Sequence, residues 1–297
     1  MFFKNLTLFR LSVESPLDSA VLAQSLAKMA FRPCSASETE TVGWVAPVTD
    51  GDLLYAVGGQ YLIALKTEEK ILPASVVTRF TNQRVKKIEE EQDRKVGRKE
   101  RQELKEQTIT DLLPKAFTTE RTIFAWIDPV NGWLAMDTAS RPRAESVLEC
   151  LRKCADGLPA IRTAKFALSP SGAMNTWITT GEPPAGFTID QDLELQSAEQ
   201  AKVRYVKHTL EGDEIRRYIA EGKVATKLAL TWSDRISFVL DDKLQIRRLS
   251  FLDIIKEENA VEAESERERF DLDFVLMAGE LAKMLKDLSA ALGGEIE

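Results

Sequence analysis

The feature that most constrains the fold is a charged stretch between two prolines, Pro73 and Pro114. It contains no other proline and a single glycine, Gly97, and its interior is rich in Arg, Lys, Glu and Gln, which favour helices. The pattern predicts a helix over 74–96, about 35 Å long at about 1.5 Å per residue. A left-handed turn at Gly97 and a returning helix over 98–112 complete the prediction.

Apolar residues in this stretch are sparse and follow a narrow stripe. They are Val77, Val85 and Ile88 in the first predicted helix, and Leu104, Ile109 and Leu112 in the second. Such a stripe can hold two helices together but cannot bury them in a core. The stretch therefore predicts a helical hairpin that projects from a folded body. On pattern alone, a solvated hairpin with i,i+4 ion pairs is the simplest interpretation.

Length and charge limit the class of protein. With 297 residues the chain has room for two domains, or three if the hairpin is counted. Its net charge of −7 is unlike that of a generic basic nucleic-acid binder. Net charge does not fix distribution, however, and Lys and Arg outnumber Asp and Glu between Arg79 and Lys105. A local basic surface is therefore compatible with the acidic whole.

Targeting signals, metal ligands and cysteines point to a simple cytoplasmic protein. No apolar run approaches the roughly 18 residues that a membrane helix needs, and residues 1–6 do not resemble a signal peptide. Cys34, Cys150 and Cys154 are expected to be free thiols. Because His208 is the only histidine, no metal site and no cofactor are predicted.

The residues before and after the charged stretch predict an antiparallel α+β layer. The predicted elements before it are a strand over 2–11, a helix over 17–30 opened by Ser15-Pro16, a strand starting at Gly43, and strands 53–57 and 60–65 around Gly58-Gly59. Those after it are strands 121–127 and 133–137 and a helix over 142–155. The charged stretch is therefore inserted between two strand hairpins.

A proline- and glycine-rich segment, 166–200, is the best candidate for a domain boundary. The elements predicted beyond it are a strand over 201–210, a helix over 213–220, strands 224–232, 235–240 and 244–249, and helices over 251–258 and 265–291. This half of the chain also reads as α+β.

Motifs for catalysis are missing from the sequence. It has no phosphate-binding glycine loop and no nucleophile elbow. Asp241-Asp242 is more typical of a turn than of a metal site. Asp271 and Asp273, at i,i+2 spacing, do not share a helical face. A protein that binds, rather than an enzyme, is therefore expected.

Two features remain as candidates for binding, a strand with basic residues and the aromatic residue Phe117. Lys202 and Arg204 share one face of a predicted strand, while Lys207 falls on the other face with the apolar residues. The simplest interpretation is the polar face of a half-exposed strand. Phe117, just after Pro114, is either a core residue at a helix end or a contact with something outside the arm.

Eight short motifs in this order carry a family resemblance over the full chain. They are FKNL at 3–6, MAFRPC at 29–34, GWV at 43–45, EKILP at 69–73, LLPKAF at 112–117, WID at 126–128, GKVATKLAL at 222–230 and FDLDFVLM at 270–277. With them the chain resembles the bacterial RdgC family of recombination-associated proteins.

The resemblance implies an assembly and a function. It implies an α+β fold of antiparallel sheets with packed helices, assembled as a ring-shaped homodimer. Each subunit would have a centre domain (1–73 and 118–165), a projecting helical-hairpin tip (74–117) and a base domain (166–297). The ring would encircle double-stranded DNA without sequence preference and restrain RecA-promoted strand exchange, in the cytoplasm and on the nucleoid. The alternative is a protein-binding regulator of recombination with incidental DNA contact.

The resemblance also implies roles for single residues. Phe117 occupies the position of the gate at the tip-to-tip contact, and Lys207, with His208 beside it, occupies a DNA-facing position. Arg94 falls on the basic position of the tip. Further candidates for DNA contact, chosen for charge and neighbourhood, are Lys70, Arg98, Lys115, Arg121 and Lys227. His208 is uncharged at neutral pH and adds little Coulomb attraction.

Overall fold

One antiparallel sheet runs through the part of the chain described by the computed structural model, namely residues 1–12, 17–154, 159–253, 263 and 265–296. Its strands are β1 (Leu6–Leu11), β2 (Glu40–Val45), β3 (Tyr55–Val57), β4 (Gln60–Ile71), β5 (Phe117–Asp128), β6 (Trp133–Met136), β7 (Ile161–Arg162), β8 (Phe187–Gln196), β9 (Lys202–Tyr205), β10 (Val224–Trp232), β11 (Ile236–Asp241) and β12 (Gln245–Phe251). The strand order is β2-β4-β5-β6-β1-β12-β11-β10-β8-β9, with β3 beside β4 and β7 beside β1.

The helices pack on this sheet or extend from it. They are α1 (Ser19–Ala27), α2 (Ala74–Gln92), α3 (Arg98–Leu112), α4 (Arg141–Cys154), α5 (Pro170–Thr180), α6 (Asp213–Ala220) and α7 (Glu266–Ala291). Side chains of Asp18, Ser169 and Ser265 accept backbone N–H bonds at the starts of α1, α5 and α7. Within the described ranges, no helix is long and apolar enough to cross a lipid bilayer.

The two halves of the chain share the sheet at β1. This strand pairs with β6 on one side and with β12 on the other, so that Thr7 lies opposite both Met136 and Gln245. The sequence predicted several sheets, and that prediction is wrong, because a backbone ladder joins the first half of the chain to the second. The division into centre, tip and base stays a prediction.

The two faces of the sheet are covered differently. One face carries a core that runs along both halves and includes Trp126 from β5, Trp177 from α5, and Phe274 and Met277 from α7. The other face carries a second core, built under α1 and α4, only over the first half. Its members come from β1, β2 and β4 to β6, and none comes from β8 to β12. The second face of β8 to β12 therefore lies outside both cores.

The charged stretch forms two helices, α2 and α3, that pack along each other. The residues buried between them include Val77 and Val85, as predicted, but also Thr81 and Thr108. Each threonine hydroxyl donates to the carbonyl four residues earlier, at 2.8 Å for Thr81 and 2.6 Å for Thr108. This local bond satisfies the hydroxyl and lets a polar residue lie in a narrow seam.

The turn between α2 and α3 differs from the prediction. The left-handed residue is Asp93, with φ 49°, and Gly97 is extended, with φ −72° and ψ 166°, as the N-cap of α3. Asp tolerates the left-handed region better than most residues. Glu89 closes the loop by accepting the Val96 N–H at 3.1 Å. Glycine was therefore not needed for the positive φ.

Most of the other predicted elements are present, with shifted ends. Gly58 and Gly59 both have positive φ, as the predicted two-residue hairpin turn requires. The predicted strand over 201–210 stops at Tyr205, because Lys207 adopts φ 51° and leaves the ladder. Phe251 belongs to β12 and not to a helix. The rest of the predicted 251–258 helix falls mostly on 254–258, and the predicted Ser15-Pro16 helix start falls on 13–16; both lie outside the described residues.

Candidate nucleic-acid interface

The second face of β8 to β12, which carries no core, presents a field of charged side chains. We call it the open sheet face and define it by nine residues: Asp190, Asp192, Glu194, Lys202, Arg204, Lys227, Asp241, Arg247 and Arg248. Strand alternation explains their placement, because Leu193 and Leu195 on either side of Glu194 belong to the first core. The sequence thus forms a strand with an apolar inner face and a charged outer face.

Register lines these charges up across neighbouring strands. Arg204 lies opposite Glu194, Glu194 lies opposite Lys227, and Lys227 lies opposite Asp241. The row therefore alternates in sign across β9, β8, β10 and β11. Opposite charges directly across a sheet attract one another, which also favours this register.

Glu194 is the centre of the row. Its carboxylate accepts hydrogen bonds from Arg204 at 2.6 Å, from Lys227 at 3.0 Å and from Lys202 at 3.2 Å. The hydroxyl of Thr226 adds a bond at 3.1 Å. Burial alone would raise the pKa of Glu194, but the bonds from Arg204, Lys227, Lys202 and Thr226 outweigh it and lower the pKa to about 2. Glu194 is therefore ionised at neutral pH.

Two further acids hold the remaining cations. Asp241 accepts the Arg247 Nε–H at 2.9 Å and also accepts backbone N–H bonds in the turn that follows it. Asp192 pairs with Arg248 at 3.0 Å. The expectation that Asp241 belongs to a turn is confirmed, and its carboxylate has the added task of fixing an arginine.

Acids and cations lie at different depths on this face. Glu194 and Asp241 expose only 3% and 4% of their side chains, whereas Arg204 exposes 64% and Arg248 exposes 70%. Since the acids lie beneath and the cations above, the outer surface presents mainly guanidinium and ammonium groups. A phosphate that approaches the sheet meets these groups first.

A cleft of about 300 Å³ lies over the same strands. Its lining includes the apolar Val239 and the cationic side chains of Arg204, Lys227, Arg247 and Arg248. The open sheet face is therefore concave enough to receive a ligand group.

The structure places Lys207 and His208 at the rim of the open sheet face. Both are exposed, in the loop that follows β9. The Lys207 N–H donates to Asp192 at 3.0 Å, and the His208 N–H donates to the Gln191 carbonyl at 3.1 Å. Lys207 is thus anchored through its backbone and keeps its ammonium group outward. Lys227 is brought to the same face, but as a partner of Glu194.

The other predicted basic residues lie elsewhere in the fold. Arg94 connects to Glu100 through two bonds of 2.7 Å and 2.6 Å, and the Lys70 ammonium donates to the carbonyls of Ser35 and Ala36. Exposed positions without a role in the core are held by Arg98, Lys115 and Arg121. These residues belong to the helix pair, to the short 3-10 turn Leu113–Lys115 that follows it, or to β4 and β5, near the opposite end of the strand order from β8 and β9. Within one chain, the structure does not bring them together with Lys207.

Phe117 is on the surface and not in a core. It is the first residue of β5, exposes 85% of its area and lies opposite Ile71, which exposes 49%. An exposed aromatic residue beside an exposed isoleucine is a small apolar patch at the root of the helix pair. The interpretation of Phe117 as a core residue is therefore wrong for this chain taken alone.

Two small surface patches on the helix pair differ in charge. The patch on α2 is lined by Ser75, Thr78, Arg79, Asn82, Gln83 and Lys86, and the patch on α3 is lined by Glu103, Glu106, Gln107, Thr110 and Asp111. The first patch contains cations without acids, and the second contains acids without cations. These two patches are complementary in charge.

Sequence reasoning missed Arg247 and Arg248. Their signal was weak, because two consecutive arginines after a predicted strand start usually form a solvated face. What gives them a role is the pairing of β12 with β11, which sequence spacing does not reveal. The predicted sharing of one face by Lys202 and Arg204 is confirmed.

The two carboxylates that the sequence suggested as a metal pair, Asp271 and Asp273, each bind another group of the protein. In the described part of the chain, no group of three His, Cys, Asp or Glu side chains is placed to hold a metal ion. On α7, Asp271 accepts the Tyr55 hydroxyl at 2.5 Å, whereas Asp273 pairs with the amino group of Met1 at 2.6 Å. These two carboxylates serve different contacts.

Fold and site together define an α+β protein with one large antiparallel sheet and an outwardly cationic face that the described residues leave uncovered. The family model described as "Putative exonuclease, RdgC" matches residues 1–295. Proteins named "Recombination-associated protein RdgC" are similar over nearly their whole length. The one from Janthinobacterium sp. (strain Marseille) is 48% identical over 299 residues, covering 100% of this chain and 99% of its own.

A second relative with the same name, from Cupriavidus pinatubonensis, is 50% identical over 297 residues, covering 99% of each chain. A third, from Dechloromonas aromatica, is 46% identical over 302 residues, covering 100% of this chain and 99% of its own. The chain belongs to the RdgC family of recombination-associated proteins.

Proposed function

We propose that this protein binds double-stranded DNA without sequence preference and thereby restrains RecA-promoted strand exchange. The observation that carries the proposal is the open sheet face, where exposed cations lie above buried acids. Lys and Arg contacts to phosphates give affinity without reading sequence. By occupying duplex DNA, the protein would deny it to the RecA filament.

A ring-shaped homodimer is part of the proposal. The chain carries a net charge of −7, but the most exposed side chains of the open sheet face, Lys202, Arg204 and Arg248, are cationic. Two copies that enclose DNA between their open sheet faces would keep the acids outside. The complementary charges on α2 and α3 support contact between the helix pairs of the two copies, with Phe117 and Ile71 as an apolar gate beside it.

The first experiment is a salt titration of duplex binding. Dissociation constants for two unrelated 30-base-pair duplexes are measured between 0.05 and 0.3 M salt. We expect equal affinities for both, and a linear fall of log affinity with log salt, with a slope of about −0.9 per phosphate contact. A flat salt response or a strong preference for one sequence contradicts the proposal.

The ring and its gate need a separate experiment. Dissociation from nicked circular DNA and from short linear DNA is compared for the wild type and Phe117→Ala. We expect slow release from the circle, faster release from the linear duplex, and faster release from the circle for the variant. Val130→Ala, in the turn after β5, is the control for a general loss of exposed apolar surface, because Val130 is 76% exposed and lies outside the gate. Equal rates in every arm would contradict encirclement.

A second candidate comes from the description of the family model, which names a putative exonuclease. We propose binding rather than cleavage, and end-labelled linear DNA incubated with Mg²⁺ or Mn²⁺ separates the two. Shortening that follows protein concentration would favour the nuclease. A third candidate is a protein-binding regulator with incidental DNA contact, and it predicts that charge changes on the open sheet face leave the effect on RecA unchanged.

A further inference from the structure

Glu194 is the one acid among the cations at the centre of the open sheet face. Its side chain points to that face and lies opposite Arg204 on β9 and Lys227 on β10. An acid at this point lowers the positive charge of the surface that the DNA approaches.

The contacts of Glu194 show how strongly it acts. It accepts bonds from Lys202, Arg204 and Lys227, so one negative charge is shared by three positive ones. Lys227 contacts both carboxylate oxygens, at 3.1 Å and 3.0 Å, and exposes only 33% of its side chain. Lys227 is therefore the cation whose charge is most nearly cancelled.

We propose that Glu194 limits the affinity of the open sheet face for polyanions by holding Lys202, Arg204 and Lys227 and cancelling part of their charge. This inference rests on the proposed function, and its ligand is the phosphodiester backbone. A bound DNA phosphate feels the carboxylate as a like charge a few ångströms beneath the cations. Glu194 thus keeps the complex reversible, as a protein that occupies DNA without sequence preference requires.

The direct test is Glu194→Gln, which keeps the size and one acceptor oxygen and removes the charge. We expect the dissociation constant for a 30-base-pair duplex at 0.1 M salt to fall roughly threefold to tenfold, since one nearby repulsion is lost. The salt slope should steepen by about one counterion. Unchanged or weaker binding by a folded variant overturns the inference.

Glu280→Gln is the matched control. Glu280 lies on α7, exposes 5% of its side chain, and pairs with Arg235 at 2.7 Å and with Lys283 at 3.1 Å. Its replacement changes the net charge of the chain equally, but on the covered face of the sheet. An equal gain in affinity for this variant would mean that net charge, and not Glu194, sets the binding.

A second pair of variants tests the same idea without altering Glu194. Lys227→Met should weaken duplex binding less than twofold, because that charge is already cancelled, whereas Lys207→Met should weaken it about fivefold. Equal losses overturn the inference even if Glu194→Gln fails to fold. If the wild type itself shows no salt-dependent binding, the proposed DNA binding fails together with the inference. If the wild type binds and only the variants disagree, the inference about Glu194 fails alone.

Discussion

The helix pair and the open sheet face carry similar residues but present different surfaces. On α2 and α3 both signs are exposed and pair locally, as in Lys86–Glu90, where the side chains are 79% and 65% exposed. On the sheet the acid of each pair is more buried than its cation, and Glu194 and Asp241 are almost inaccessible. The number of charged residues is therefore a poor guide to the electrostatic potential of a surface. The burial of the acidic side chains relative to the basic ones decides that potential.

Depth also changes what each ion pair contributes. Exposed pairs in water gain roughly 0 to 1 kcal/mol and weaken with salt. Buried acids are screened less and have lost their water, so they must keep their partners. The helix pair can exchange its internal partners for new ones at low cost, whereas the sheet face holds its cations in fixed positions.

The largest expected difference between the regions comes from charge reversal. Lys207→Glu with Arg248→Glu should weaken duplex binding roughly 30- to 100-fold, because two outward cations become anions. Lys86→Glu with Lys87→Glu changes the net charge equally but should cost about threefold or less, because both lysines already pair with acids on α2. Dissociation constants at one salt concentration decide this. Equal losses would show that depth does not matter.

The second difference is the response of stability to acid. The pKa of Glu194 is lowered to about 2, so its contribution is complete above the unfolded-state pKa of about 4.5 and is lost as the pH falls towards 2. Between pH 6 and pH 3 we therefore expect the free energy of unfolding of the wild type to fall by about 2 kcal/mol more than that of Glu194→Gln. Urea unfolding at pH 6, 4 and 3 measures it. Parallel acid curves for the two proteins would contradict the assignment.

A smaller difference is expected for single truncations. Lys207→Ala should reduce the salt slope by about one and the affinity about fivefold at moderate salt. Arg94→Ala should reduce affinity about twofold, because Glu100 already binds that guanidinium at both oxygens. The two variants differ only in which region loses a cation. If Arg94→Ala has the larger effect, the helix pair is the main DNA contact.

The smallest expected effect is on the stability of the helix pair. Lys87→Ala removes an i,i+4 contact of 3.8 Å to Glu91 between two exposed side chains. We expect a loss below about 0.5 kcal/mol, which vanishes in 1 M salt. Thermal unfolding at low and high salt provides the measurement. A loss above about 1 kcal/mol would show that exposed pairs in this region are structural.

Local sequence signals predicted much of the fold. The Gly58-Gly59 turn, the helix over 213–220 and the strands on both sides of Ser233-Asp234 are where they were expected. These elements depend on turn chemistry and periodicity within a few residues. The predicted strand over 201–210 is wrong at its end because Lys207 leaves the ladder to donate its N–H to Asp192, fifteen residues earlier in the chain.

The candidate site was predicted only in part, for a related reason. Alternation placed Lys202 and Arg204 on one face, the family resemblance pointed to Lys207, and Lys227 was chosen for its charge and neighbourhood. Arg247 and Arg248 were missed, since only the pairing of β12 with β11 brings them beside the others. Glu194 carried no signal, because residues 166–200 were predicted as a domain boundary, whereas the structure has α5 and β8 there.

By itself the sequence determined the local elements, the helix-forming stretch between Pro73 and Pro114, and the family. These follow from contacts between near neighbours and from motifs that need no folded context. Tertiary structure alone decided that β1 joins β12, that Glu194 lies under three cations, and that Phe117 stays exposed. Burial and long-range register depend on how distant strands pair, and that pairing is set by the whole core and not by any short stretch.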